Sequence, residues 1–286
     1  MKPTSDSILE LKQVGFRYPD GSVGLDGCTL SITRSSRFAL LGANGAGKTT
    51  LFLHLNGILR PQSGTVSFSG TPLDYGRRHL HALRSRVGLV FQNPDSQLFS
   101  ASVREDVSFG PMNLGLDGRS VSNRVEEALQ AVGMTECAEK PVHNLSYGQK
   151  KRVCIAGVLA MRPEVLILDE PMAGLDIAMQ ADLSDILDRL HCEGMTVIIA
   201  THDLDFAYQW ADSLSVMVQG KCAATWEAER IPDVLRELAG YGMGIPRVAE
   251  LYQRLICSGF SVSEGLPPRS HQDLLGVLAK VHLDRG

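Results

Sequence analysis

Residues 42 to 50 read GANGAGKTT, and they fit the spacing G-x-x-x-x-G-K-[ST] directly after the apolar FALL and directly before LFLHLNGIL. A strand, a glycine loop and a helix in that order are the setting in which this spacing has a mechanism. Gly42, Gly45 and Gly47, with Asn44 among them, let backbone N–H groups close around phosphate oxygens. Lys48 brings a point charge to the outer phosphates, the Thr49 hydroxyl can ligate Mg²⁺, and Thr50 completes the loop. This is a cradle for the phosphates of a nucleotide.

Further strand-like stretches end in residues suited to the same chemistry. VLILDEP, residues 165 to 171, closes on adjacent carboxylates. Asp169 is placed to hold the Mg²⁺ shell, and Glu170 to polarise the water that attacks the γ-phosphoryl group. A DE pair there could equally be only the N-terminal charge of a helix. TVIIATHD carries His202, whose imidazole could reach the γ-phosphate and hold the attacking water in line; the rival is a satisfied histidine at a strand end. Gln92 ends GLVFQ, and its amide could contact Mg²⁺ or water, against a plain strand-end glutamine. Ligands of open α/β sheets sit beyond the carboxyl ends of the strands, so these ends reinforce one another. A second anion-ready place is LSYGQKKR, residues 145 to 152, a turn opening a helix whose first N–H groups point outward.

The elements that must hold these residues are legible as patterns. FALLG, EVLILD and TVIIA are apolar on both faces and separated by helical patterns, so they read as buried parallel strands of an α/β core. ILELKQVGFRY and GTVSFSG alternate, with Val66 and Phe68 on one face and Thr65, Ser67 and Ser69 on the other, which predicts a half-buried antiparallel layer. From Gly76 to Ala138 the expectation is a mostly helical insertion and no continuation of the sheet; Val125, Leu129 and Val132 recur at helical spacing. The ATP-binding domain is expected over 1–228, with its helical part at about 76–160, followed by a helical extension over 229–286. There Pro232, Pro246, Pro267 and Pro268 punctuate three short helices, Gly240 and Gly259 read as stops, and Ser270 as an N-cap. No internal repeat marks a tandem arrangement.

Composition sets the frame. The chain has 286 residues, 44% hydrophobic and 21% charged, with net charge -4. That supports a full core and argues against a broad basic nucleic-acid surface. Six cysteines without a CxxC pair suggest neither a zinc knuckle nor a disulfide framework, and read as reduced thiols of a cytosolic protein. The start MKPTSDSILELK lacks a signal-peptide core, and the longest apolar run, VCIAGVLAM, is too short to span a bilayer.

The ordered set of glycine loop, Gln92, LSYGQ, LDEP, GLD and His202 resembles the nucleotide-binding subunit of ATP-binding cassette transporters, over residues 8 to about 225. The resemblance implies a P-loop cassette fold with a mixed core sheet, an antiparallel β subdomain and a helical insertion. It also implies two copies, or a paired ATPase subunit, facing head to tail. ATP would lie between one copy's Lys48 and the other's Ser146, Gly148 and Gln149. Asp176 would cross the interface, and Tyr18 would stack on adenine, against a strand aromatic that packs the β layer. The signature departs at Tyr147, commonly glycine, and Met172 and Ile177 stand where Thr and Pro are commoner. QNPDSQLFSASVREDVSFGPMNLGL, residues 92 to 116, resembles the energy-coupling-factor importers, cobalt and nickel ATPases of the CbiO type foremost; vitamin importers of the group, biotin among their cargoes, use very similar ATPases. In that group Asp95, Gln97, Leu98 and Phe99 would receive a membrane-embedded coupling protein, itself joined to a substrate-binding membrane subunit, at the cytoplasmic face of the inner membrane. The bland reading tucks Leu98 and Phe99 into their own core. Val248, Leu251, Tyr252, Leu255 and Ile256 would hold two subunits together or fold back on their own domain. His79 and His81 are not spaced as a metal site. A soluble cassette ATPase acting on nucleic acid or ribosomes is the rival class.

Overall fold

The computed structural model describes residues 6–258 and 267–279. The chain opens with β1 (Ser7–Arg17), β2 (Val23–Thr33) and β3 (Arg37–Leu41), the last running through the glycine loop into α1 (Lys48–Leu55). β4 (Ser63–Phe68), β5 (Thr71–Pro72), α2 (Arg77–Arg86) and β6 (Val87–Val90) follow. Three helices come next: α3 (Val103–Asn113), α4 (Gly118–Ala131) and α5 (Tyr147–Leu159). Then β7 (Val165–Asp169), α6 (Ile177–Cys192), β8 (Thr196–Thr201), α7 (Leu204–Trp210), β9 (Ser213–Val218) and β10 (Lys221–Glu227) complete the core. α8 (Leu235–Gly240), α9 (Arg247–Cys257) and α10 (His271–Leu278) form the extension.

Two sheets result, an antiparallel one in the order β2-β1-β4-β5 and a core sheet in the order β10-β9-β3-β8-β7-β6. The strands β6, β7, β8, β3 and β9 run parallel, and β10 pairs antiparallel with β9. This is the α/β core expected from the two-sided apolar runs, in the mixed-sheet cassette form that the resemblance implied: every residue of β7 and of β8 is buried. A parallel strand covered on both faces has no polar side to show.

Two expectations need correction. Residues 76–138 do continue the sheet, because β6 pairs with β7 at its edge and α2 buries Leu83 in the core beneath the glycine-loop helix. That strand is the GLVFQ stretch whose end carries Gln92, so the helical insertion begins only after it. Ser67 is buried together with Val66 and Phe68, so β4 is not half-solvated along its length. The compact helical lobe is α3, α4 and α5, where Val103, Val107, Val125, Leu129 and Val132 are buried.

The extension folds back on its own domain, one of its two expected roles. Ile231, Leu238 and Ala249 are part of the main core. Arg247 donates from Nε to Asp205 in the first turn of α7 at 2.6 Å, and the Tyr208 hydroxyl of α7 donates to the Pro268 carbonyl at 3.1 Å. Val248, Tyr252 and Leu255 are half-buried, while Leu251 and Ile256 lie at the surface. Gly240 is the last helical residue of α8, and Ser270 caps α10 through a reciprocal box with Asp273. Gly259 lies outside the described residues. None of the six cysteines is bridged. Among the described residues no helix is long and apolar enough to cross a membrane.

Candidate active site

β3, β8, β7 and β6 are adjacent in the core sheet and parallel, so their carboxyl ends form one edge. The glycine loop with Lys48 follows β3, His202 follows β8, Asp169 and Glu170 end β7, and Gln92 follows β6. A cleft of about 450 Å³ opens there, lined by Tyr18, Asn44, Lys48, Gln92, Asp169 and Glu170 among others. Asn44 and Gly45 also border a neighbouring pocket, and it is this one that His202 lines.

The glycine loop owes its path to close approaches. Gly47 has φ +108°, and a Cβ there would stand 2.5 Å from the Gly24 carbonyl oxygen. α1 begins without a side-chain cap, so its first N–H groups are left for an anion. Lys48, only 6% exposed, donates to the carbonyls of Gly42 at 2.7 Å and Ala43 at 3.3 Å. Its Nζ is also 3.5 Å from Glu170 Oε1. The lysine therefore lies folded along its own loop, next to the place a terminal phosphate would take.

Thr49 donates its hydroxyl to Asp169 Oδ2 at 2.5 Å. Burial raises the Asp169 carboxyl above the usual carboxylate range; the Thr49 bond pulls it back, the Glu170 charge adds to the rise and the Lys48 charge opposes it. Glu170 is 6% exposed and has φ +46°, a left-handed backbone that non-glycine residues rarely adopt. Its N–H donates to the Ala200 carbonyl of β8 at 3.0 Å. Glu170 Oε2 lies 3.0 Å from His202 Nδ1, while Oε1 is buried without a hydrogen-bond partner among the described residues. An orphaned carboxylate oxygen beside a lysine is poised to accept from a water or ligand. The hydroxyl, carboxylate and amide of Thr49, Asp169 and Gln92 are hard oxygen donors, the set that suits Mg²⁺.

Tyr18 packs edge-on against Phe16, with centroids 5.1 Å apart, and its hydroxyl is 2.9 Å from Thr50 Oγ1. Thr50 is thus engaged with the ring at the mouth of the cleft.

The remaining expected residues stand apart from this cleft. Ser146 N-caps α5, accepting the Gln149 N–H at 3.3 Å, and Gln149 Oε1 accepts the Ser146 N–H at 3.0 Å. The Gln149 side chain is therefore spent on a capping box. Gly148 packs against α6, where an added Cβ would come within 2.6 Å of Sδ of the flexible Met179 side chain. Asp176 N-caps α6 through a 2.8 Å bond from the Met179 N–H. Tyr147, at the departure from glycine, lies over Gly174, and its hydroxyl is 3.4 Å from the Gln92 carbonyl. It turns toward its own chain. Met172 packs partly against the core, and Ile177 is 86% exposed.

Between residues 92 and 116 the expected surface divides. Leu98 packs on the main core and Gln97 turns inward, accepting the Phe91 N–H at 3.1 Å, whereas Phe99 is 66% exposed. Phe99 meets Phe109 edge-on at 4.8 Å beside a groove of about 700 Å³ that Arg77, His81 and Arg84 also line. Asp95 pairs with Lys150 at 2.7 Å. His79 pairs with Asp74 and His81 meets the Asn113 carbonyl, and no metal-binding cluster of His, Cys, Asp or Glu occurs among the described residues.

Lys151 escaped the sequence reading. It is 4% exposed and donates to the carbonyls of Glu170, Pro171 and Ala173. Its signal was position: Lys151, Cys154, Ile155 and Val158 share helical spacing, and all are buried.

A triphosphate cradle and paired acid groups at the switch edge of a parallel sheet define a P-loop ATPase of the cassette class. The family model described as ABC transporter matches residues 25–173. The energy-coupling factor transporter ATP-binding protein EcfA of Methanocaldococcus jannaschii is 48% identical over 248 residues, 87% of this chain and 89% of that one. The protein of the same description from Carboxydothermus hydrogenoformans is 45% identical over 245 residues, 86% and 90% of the two chains. Among solved structures, CbiO1 from Clostridium perfringens, part of the ABC transporter complex CbiONQ, is 43% identical with TM-score 0.74, covering 87% of this chain and 99% of that one. An ATP-binding cassette dimer bound to ADP and Pi, 24% identical with TM-score 0.71 over 77% and 99% of the chains, shares the fold. The chain belongs to the ABC transporter family, in its energy-coupling-factor group, and is an ATP hydrolase.

Proposed function

We propose that this ATPase powers uptake of a transition-metal ion, cobalt first and nickel next, through membrane partners, working as a pair of ATPase subunits at the cytoplasmic membrane face. The observation that carries the ATPase chemistry is the buried Glu170 carboxylate, whose Oε1 faces Lys48 at 3.5 Å without a hydrogen-bond partner among the described residues and whose Oε2 meets His202. The likeness to CbiO1 supports the metal cargo.

In this reading Lys48 leaves the Gly42 and Ala43 carbonyls for the outer phosphates, and the glycine-loop N–H groups enclose the rest. Glu170 Oε1 accepts the proton of the attacking water, and His202, held through Nδ1, presents Nε2 to the phosphoryl group. Thr49, Asp169 and Gln92 would hold Mg²⁺, which supplies positive charge to the phosphate oxygens when bound. Tyr18 supports the adenine at the cleft mouth. The Ser146 turn does not line its own cleft, so its outward N–H groups serve the γ-phosphate of a second copy, with Asp176 crossing between them. ATP then joins the two copies and hydrolysis releases them.

Phe99, Phe109 and the groove beside them receive the coupling protein. Phe99→Ala is expected to weaken that docking by roughly 2 kcal/mol, about thirtyfold in Kd, measured as loss of the membrane subunits from a detergent pull-down. An unchanged complex would count against this docking site. The assignment as a whole is tested by purifying the detergent-solubilised complex and identifying its subunits and its metal. Cobalt or nickel retained with two or more membrane subunits is expected; a vitamin, or nucleic acid in place of membrane subunits, would overturn it.

A further inference from the structure

Lys151 lies in the second turn of α5 with its ammonium surrounded by backbone. Nζ donates to the carbonyls of Glu170 at 3.0 Å, Pro171 at 2.7 Å and Ala173 at 2.8 Å, and stands 5.4 Å from the centroid of the Tyr147 ring. An ammonium has three donors, and here each has an acceptor. Burial draws the lysine down to about 8, against the attraction of the Glu170 charge. Holding a cation there is costly unless its partners are fixed. Those partners belong to the loop whose first residue is Glu170.

The Glu170 backbone is left-handed, a conformation that persists only where the surroundings enforce it. On one side its N–H is tied to Ala200 of β8. On the other its carbonyl is held by Lys151, with the Ala173 N–H adding a 3.2 Å bond. The direction of the side chain toward Lys48 and His202 follows from this fixed backbone.

We propose that Lys151 is a positioning residue for hydrolysis, clamping the strained backbone of Glu170 so that its carboxylate faces the γ-phosphoryl group. The inference rests on the role given to Glu170 above. It has a consequence for coupling: Lys151 rises from the helix that Ser146 and Gly148 open. The turn that meets one copy's nucleotide is thereby joined, through a single side chain, to the carboxylate that acts on the other.

Lys151→Met keeps the stem and removes the charge and the donors. Its kcat is expected to fall roughly tenfold to a hundredfold, the scale of a misplaced catalytic group, with ATP affinity and KM within about twofold of wild type. Because Lys151 acts through Glu170, the double variant with Glu170→Gln should be no slower than Glu170→Gln alone. Lys151→Arg retains the charge but spreads its donors in a plane, and is expected to fold and to lose about threefold or more in kcat at unchanged ATP affinity; it decides the matter if Lys151→Met does not fold. Wild-type kcat in the folded variant, a loss of ATP affinity parallel to the loss of kcat, or multiplicative losses in the double variant would overturn the proposal. Glu170→Gln by itself reports on the role of Glu170: wild-type turnover there would remove that role whatever Lys151→Met does.

Discussion

Glu170→Gln is expected to lower ATP turnover by roughly a hundredfold to ten-thousandfold, the contribution of a positioned general base, while ATP affinity stays at or above that of wild type. The amide is nearly isosteric, so it fits the same buried place and can keep its oxygen toward His202 Nδ1, now 3.0 Å from Oε2. The change falls on Oε1, which has no hydrogen-bond partner among the described residues and sits 3.5 Å from Lys48 Nζ. An amide there cannot take a proton from water. It also removes a negative charge from beside the incoming phosphate, which favours binding. The copies should therefore close on ATP and stay closed, since the phosphoryl group that both hold is never removed. Size-exclusion chromatography with ATP should show a persistent dimer, and turnover should be measured on the same material. Wild-type hydrolysis would transfer the base role away from Glu170.

How much of this was readable before the structure depends on whether a residue's neighbours are implied by its own type. β3, β7 and β8 announce themselves because a strand covered on both faces must be apolar throughout. Their terminal residues are equally plain, since a lysine, a threonine, a carboxylate pair and a histidine at strand ends leave little chemistry other than phosphate transfer. β6 is four residues long, and β10 alternates exposed and half-buried positions at an edge. The strand end at Gln92 was legible from GLVFQ, whereas the pairing of β6 with β7 and the edge strand β10 carried no pattern of their own. Leu98 and Phe99 are both apolar and adjacent, and only the turn at Pro94–Ser96 and the Asp106 carboxylate decide which points inward: Asp106 accepts the N–H groups of Phe99 and Ser100 at 2.9 Å. Lys151 is the furthest from reach. Its acceptors are carbonyls, which every residue has, so no side-chain type marks the partner.

The same distinction explains why the residues expected at one site form two groups. Lys48, Thr49, Asp169 and Glu170 touch one another within one chain. Ser146, Gly148 and Asp176 instead meet helix ends and Met179. Their own chain gives them structural work, and among the described residues none of the three hydrogen-bonds to the Lys48, Thr49, Asp169 and Glu170 side chains. Lys151 is the side chain that connects the groups, because it starts on the helix of one and ends on the backbone of the other.

Lys48→Ala is expected to act before chemistry, weakening ATP binding by roughly a hundredfold or more. Two charge-assisted hydrogen bonds to phosphate at about 1.5–3 kcal/mol each set that scale. The substitution also removes the Nζ bonds to Gly42 and Ala43 that hold the side chain along its loop, and so loosens the cradle that the N–H groups of α1 complete. Its third effect is electrostatic. Lys48 is the cation that offsets the buried Asp169 carboxylate and it also faces Glu170, and without it burial and the neighbouring charge act on Asp169 with only the Thr49 bond in opposition. The Asp169 carboxyl is then driven further up, against the ionised form that a cation site needs. Calorimetric titration with ATP measures the loss directly, and wild-type affinity would contradict the role of Lys48. Set beside Glu170→Gln, which should bind and not turn over, the two variants separate the residue that holds the phosphates from the residue that activates the water, although their side chains are 3.5 Å apart.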